Sequence, residues 1–186
     1  IGYVLRGVLE GHRLSNRSDL LKDARKAADG RLLAAIEPDG RLPGRLDPQW
    51  RGAAHYVCLT GSAQIAHCLF LLHEITGESS YWRKGQQLMS YVRRTIALDG
   101  PENQRGGIKG SFPVNGDYGQ WEYLNWAAKF FIDLAEGLGE PALHRPVDIA
   151  DDGLKPLPRF CEIGHLPLIE FSSCELTGLL LSLNHI

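Results

Sequence analysis

An all-α fold built from antiparallel helical hairpins is what this sequence predicts. Three observations carry the prediction. Apolar residues recur at three- and four-residue spacing along several segments. A plan of apolar helix, short polar turn and second helix repeats about 61 positions apart, in "GYVLRGVLEGHRLSNRSDLLKDARKAADGRLLAAI" from Gly2 and again in "AQIAHCLFLLHEITGESSYWRKGQQLMSYVRRTI" from Ala63. The turns inside each pair are short, while the connections between pairs are long.

Each element follows from its own residues. In the second pair, Ile65, Cys68, Leu69, Leu72 and Ile75 make one apolar stripe. Tyr81, Leu88, Val92 and Ile96 make the stripe of its second helix. A third copy opens in "NWAAKFFIDLAEGLGEPAL", where Ala127, Phe131, Leu134 and Leu138 share a face and Trp126, Phe130 and Phe131 are expected in the core. Ser18 and Ser79 stand where N-caps would open the second helices, Asn125 where one would open the third copy, and Gly77 suits a C-terminal cap. The long connections, residues 37 to 60 and 98 to 120, hold Trp, Tyr and Phe. That content predicts ordered loops with a role of their own.

Composition narrows the classes. The chain has 186 residues, 44% of them hydrophobic, and a net charge of −2, enough for one buried core. It carries no basic block for nucleic acid, and runs such as "CLFLL" are far shorter than the roughly 20 residues a membrane span requires. Neither nucleic acid nor membrane is expected as a partner. Cys58, Cys68, Cys161 and Cys174 form no C-x-x-C pair, so reduced thiols in a cytoplasmic protein are expected. The opening "IGYVLRGVLEG" reads as the middle of a helix and suggests a fragment of a longer chain. From residue 141 the pattern stops. Half of the ten prolines lie in 141–186, which forbids the expected long helix and divides the chain into a repeat region, 1–140, and an irregular segment, 141–186.

Two stretches carry a family resemblance. "GGIKGSFPVNGDYGQWEYLNWAAKFFIDLA" resembles the glycine-rich loop and inner helix of the repeats in terpenoid cyclase and protein prenyltransferase toroids and their bacterial relatives. "DGRLPGRLDPQW" followed by "LTGSAQIAHCLFLLHEITG" is a looser second copy. The resemblance implies an α/α toroid, incomplete in this chain, with inner helices around a cavity and long loops at its mouth. It extends to fold more than to chemistry. The D-x-D-D of proton-donating cyclases is absent, "DIADD" at 148–152 having other spacing, and Cys58, Cys68, His67 and His73 do not match the zinc set of the transferases. No metal or cofactor is expected.

Many toroids of this shape act on sugars, which implies a carbohydrate- or glycan-processing enzyme, or a fragment of one, using acid–base chemistry in the cavity. A non-catalytic helical repeat that binds glycan, lipid or protein stands as the alternative. A terpenoid cyclase-like or prenyltransferase-like enzyme without D-x-D-D comes third. The candidate catalytic residues are Asp117, Glu122 and His55: carboxylates beside aromatic faces and a histidine that titrates near neutrality. The candidate substrate-binding residues are Trp50, Tyr56, Tyr118, Trp121 and Tyr123, whose rings suit the apolar faces of sugars. Packing of Trp121 and Tyr123 and turn-capping by Asp117 explain the same residues equally well. Arg51 and Arg105 are candidates to pair with an acidic substrate group. Gly106, Gly107 and Gly110 are read as turn formers, and "RGGIKG" lacks the spacing of a phosphate loop.

Overall fold

Helix α1 spans Gly2–Ser15 and α2 Ser18–Ala27; α2 runs on through a π-helical turn, Ala28–Leu32, into the short α3, Leu33–Ala35. The second hairpin is α4, Leu59–Thr76, and α5, Ser79–Arg94; α6 covers Asn125–Leu138. This computed structural model describes residues 1–138, so the proline-rich segment 141–186 with Cys161 and Cys174 lies outside the described residues. The expected hairpins are present, each closed by a two-residue turn, Asn16–Arg17 and Gly77–Glu78. Asn16, at φ 53°, and Gly77, at φ 76°, end α1 and α4 in the left-handed conformation, each donating its N–H to a carbonyl four residues back. Ser18 and Ser79 are the first helical residues rather than the caps. Arg17 and Glu78 take the cap positions, without a side-chain cap bond.

The core is organised around α4, which packs on α1, α5 and α6. The expected stripe of Ile65, Cys68, Leu69 and Leu72 is buried, and so are Ala63, Ala66, Phe70 and Leu71, because neighbours cover the helix on several sides. Tyr81, Leu88 and Val92 of α5 and Ala127 and Leu134 of α6 face inward as their spacing predicts. Each buried Leu contributes about 1.5–3 kcal/mol relative to exposure. Trp126 departs from expectation. With Ala127, Phe131 and Leu134 turned to the core, Trp126 sits about 100° away around the helix and is 56% exposed. Phe130 is buried and Phe131 half-buried.

The two long connections meet. Strand β1, Val57–Cys58, pairs antiparallel with β2, Ser111–Phe112, in the register Val57↔Phe112 and Cys58↔Ser111. The Leu59 N–H also donates to the Gly110 carbonyl at 3.1 Å, which joins the second loop to the start of α4. Cys58 Sγ accepts the Gly61 N–H at 3.3 Å and caps that helix. Cys58, half-buried, and Cys68, buried in the core, are free thiols; burial raises both, pushing Cys68 up to about 12. Among the described residues no helix is long and apolar enough to cross a membrane.

Candidate functional site

The second, sixth and ninth residues of α1, α4 and α6 lie at the same spacing on the three helices. In α4 they are Thr60, Gln64 and His67, in α1 Tyr3, Gly7 and Glu10, and in α6 Trp126, Phe130 and Asp133. Positions i, i+4 and i+7 share one face of a helix. Since α1 and α6 both pack on α4, and Tyr3 meets Phe130 edge to face with centroids 6.1 Å apart, the faces belong to one wall.

That wall holds buried polar groups. Among the described residues Thr60 Oγ1, Gln64 Nε2 and His67 Nδ1 are buried without a hydrogen-bond partner, as is Ser62 Oγ nearby. A buried unpaired polar group costs about 1–3 kcal/mol, and such groups in a native core call for a role. Gln64 is fixed by close approach of α1, since a Cβ on Gly2 would fall 2.9 Å from its own Cβ. The His67 imidazole has its pKa lowered, first by burial and next by Arg6, while Glu10 and Asp133 act in the opposite direction. It is therefore neutral near neutral pH and able to accept a proton, with carboxylates from α1 and α6 placed to stabilise the imidazolium. Glu10 is held by Arg6 at 4.0 Å and Arg13 at 3.6 Å, and Asp133 by Lys129 at 2.5 Å.

The loop residues divide around this wall. Tyr118 reaches it: its phenol, raised by burial, lies beside Cys58 and Thr60 without forming a full hydrogen bond to the Thr60 hydroxyl. Ser111 Oγ pins that residue, donating to the Tyr118 carbonyl at 2.5 Å and accepting its N–H at 3.2 Å. Asp117 and Glu122 are exposed, and their carboxylates make no hydrogen bond or ion pair among the described residues. Trp121 is 69% exposed at φ 65°, and Tyr123 is exposed beneath Lys109, whose Nζ stands 5.5 Å from the ring centroid. His55 is exposed and meets Tyr56 edge to face. Tyr56 itself is buried between the loops, its ring filling the space over Gly44 and Gly116, which leaves no open face for stacking. Trp50 lies elsewhere, in a cleft walled by the π-helical turn, α3 and the first loop; none of Asp117, Tyr118, Glu122, His55 or Tyr56 lines that cleft. Arg51 is paired with Asp47 at 2.8 Å, and Arg105 is exposed. The glycines behave as read: Gly106 has φ 78°, and a Cβ on Gly110 would fall 2.6 Å from the Tyr118 carbonyl.

Thr60, Gln64, His67, Glu10 and Asp133 were not singled out from sequence as site residues. Their signal was a polar row at i, i+4 and i+7 inside the apolar "LTGSAQIAHCLFLL", with a carboxylate, Glu10 or Asp133, at the third equivalent position of each neighbouring helix. Among the described residues no group of three or more His, Cys, Asp or Glu is arranged to hold a metal. Comparison of the chain with protein families, curated proteins and solved structures finds no match.

Proposed function

We propose that the face shared by α1, α4 and α6 is the ligand wall of an α/α-hairpin protein of toroid type, that its ligand is a hydroxyl-rich small molecule, a glycan first of all, and that His67 acts there as general base. The observation that carries this reading is the row of Thr60 Oγ1, Gln64 Nε2 and His67 Nδ1, unpaired among the described residues. A hydroxyl, an amide and a neutral imidazole can meet the hydroxyls of a sugar, and exposed Tyr3 and Trp126 offer rings to its apolar faces. Glu10 or Asp133 would stabilise the protonated imidazole. Asp117 and Glu122 take no part, being solvated.

A second reading, a binding module without turnover, draws on that same solvation, because Asp117 and Glu122 are both exposed. The terpenoid cyclase-like reading has less support, since the row is polar and D-x-D-D is absent.

Oligosaccharide mixtures incubated with the protein, with binding read by calorimetry and products by chromatography, test the proposal. Wild type should bind and convert a component, and His67→Gln should bind it without conversion. Binding without conversion by both proteins would favour the module. Absence of saccharide binding, or full conversion by His67→Gln, would overturn the proposal.

A further inference from the structure

The cleft beside Trp50 is separate from the α1/α4/α6 wall and has a chemistry of its own. It encloses about 670 Å³, bounded by Gly30, Arg31, Ala34 and Ala35 on one side and by loop residues that include Arg41, Gln49, Trp50 and Arg51 on the other. The helix wall is the π-helical turn and its continuation, an insertion of the kind that often accompanies functional sites. The loop wall is tied by its own hydrogen bonds. Asp47 Oδ1 accepts the N–H groups of Gln49 and Arg51 at 2.8 and 2.9 Å, the Asp47 carbonyl accepts the Trp50 N–H at 2.8 Å, and an antiparallel bridge joins Leu46 to Gly52. This turn holds Trp50 at φ 64°, an uncommon conformation for so bulky a residue, with its ring half-buried against the core and bordering the cleft.

The charges around the cleft are unequal. Three guanidinium groups, of Arg31, Arg41 and Arg51, line it with one carboxylate, Glu37. Arg41 is neutralised by Glu37 at 2.6 Å and Arg51 by Asp47 at 2.8 Å. Arg31 has only the Gln49 carbonyl, at 3.2 Å, and no carboxylate among the described residues. A Cβ on Gly30 would meet nothing within 4 Å.

We infer that this cleft binds a small organic anion carrying one flat ring, the ring against the Trp50 indole and the anionic group on Arg31. An indole face supplies stacking area, and a guanidinium with no carboxylate partner among the described residues supplies the fork that carboxylate and phosphate oxygens match.

Phenyl phosphate is the probe, with inorganic phosphate and phenol as controls, and binding is followed by calorimetry and by the indole NMR signal of Trp50. Wild type should bind phenyl phosphate at least tenfold more tightly than either control. Arg31→Gln should weaken binding about tenfold, the loss expected for one charge-assisted hydrogen bond. Ala34→Leu, a helix-compatible change that fills the cleft, should abolish it with the melting temperature retained. Equal affinity for phosphate and phenyl phosphate, undiminished binding by either variant, or no binding by wild type would each overturn the inference.

Discussion

The Tyr81 hydroxyl donates to the Asp29 carboxylate at 2.5 Å, joining the second helix of one hairpin to the second helix of the next. Asp29 stands on the π-helical turn and also faces Arg25 at 3.6 Å; Arg25 in turn pairs with Glu78 at the start of α5. The phenol is raised well above its usual range, by burial first and by this bond second. Tyr81→Phe should cost about 1 kcal/mol in urea denaturation, because half-exposed Asp29 can recover water as its partner. Tyr81→Ala should cost about 3–5 kcal/mol, since it also empties a fully buried site. Equal losses would mean that the bond, not the ring, holds the hairpins together.

His67 should make stability depend on pH in a stated direction. Its folded pKa lies below the usual 6.5, so between the two values the unfolded chain binds the additional proton. Stability is then full above pH 6.5 and falls as the pH drops from there toward the folded pKa. Melting temperatures across that window should decline less in His67→Gln than in wild type, and parallel curves would remove His67 as the titrating group.

Thr60 tests whether the polar row is kept for a ligand. Its hydroxyl is buried, with no full hydrogen bond among the described residues, so Thr60→Val, similar in shape, should leave stability unchanged or raise it by about 1 kcal/mol. Oligosaccharide binding should fall in the same variant. A clear loss of melting temperature would show that the hydroxyl has a structural partner.

Asp117→Ala and Glu122→Ala should each change stability by less than about 0.5 kcal/mol, as exposed substitutions do. Saccharide turnover should persist in both. Its loss in either one would return the catalytic role to the loop.

Gly40 is the most constrained loop position. It has φ 86°, and a Cβ there would fall 1.9 Å from the Gln87 carbonyl oxygen of α5, so Gly40→Ala should destabilise by more than about 3 kcal/mol. Gly100, at φ 111° with open space around it, should cost only about 1 kcal/mol on the same change. Similar losses at the two would show that backbone conformation alone sets the cost.

The sequence by itself determined the helices and their pairing. Leu69, Leu72, Leu88 and Val92 recur at spacings that only a helix can place on one buried face, and Gly77 supplies the left-handed residue that a two-residue turn requires. Such rules act within a few residues along the chain, so they can be read locally. Which faces meet was decided by the tertiary structure. Trp126 looks like a core residue in one dimension and is exposed because Ala127 and Leu134 occupy the packed face, while Tyr56 looks like a ring at a cavity mouth and is buried because the second loop folds over it through the Val57↔Phe112 pairing. The candidate site shows the same division. Asp117 and Glu122 drew notice from the company of aromatic residues in sequence, yet proton chemistry depends on burial and on the charges that surround a group in space. In the proposed reading those belong to His67, whose neighbours Glu10 and Asp133 stand 57 and 66 positions away and act on it only because α1 and α6 both pack on α4.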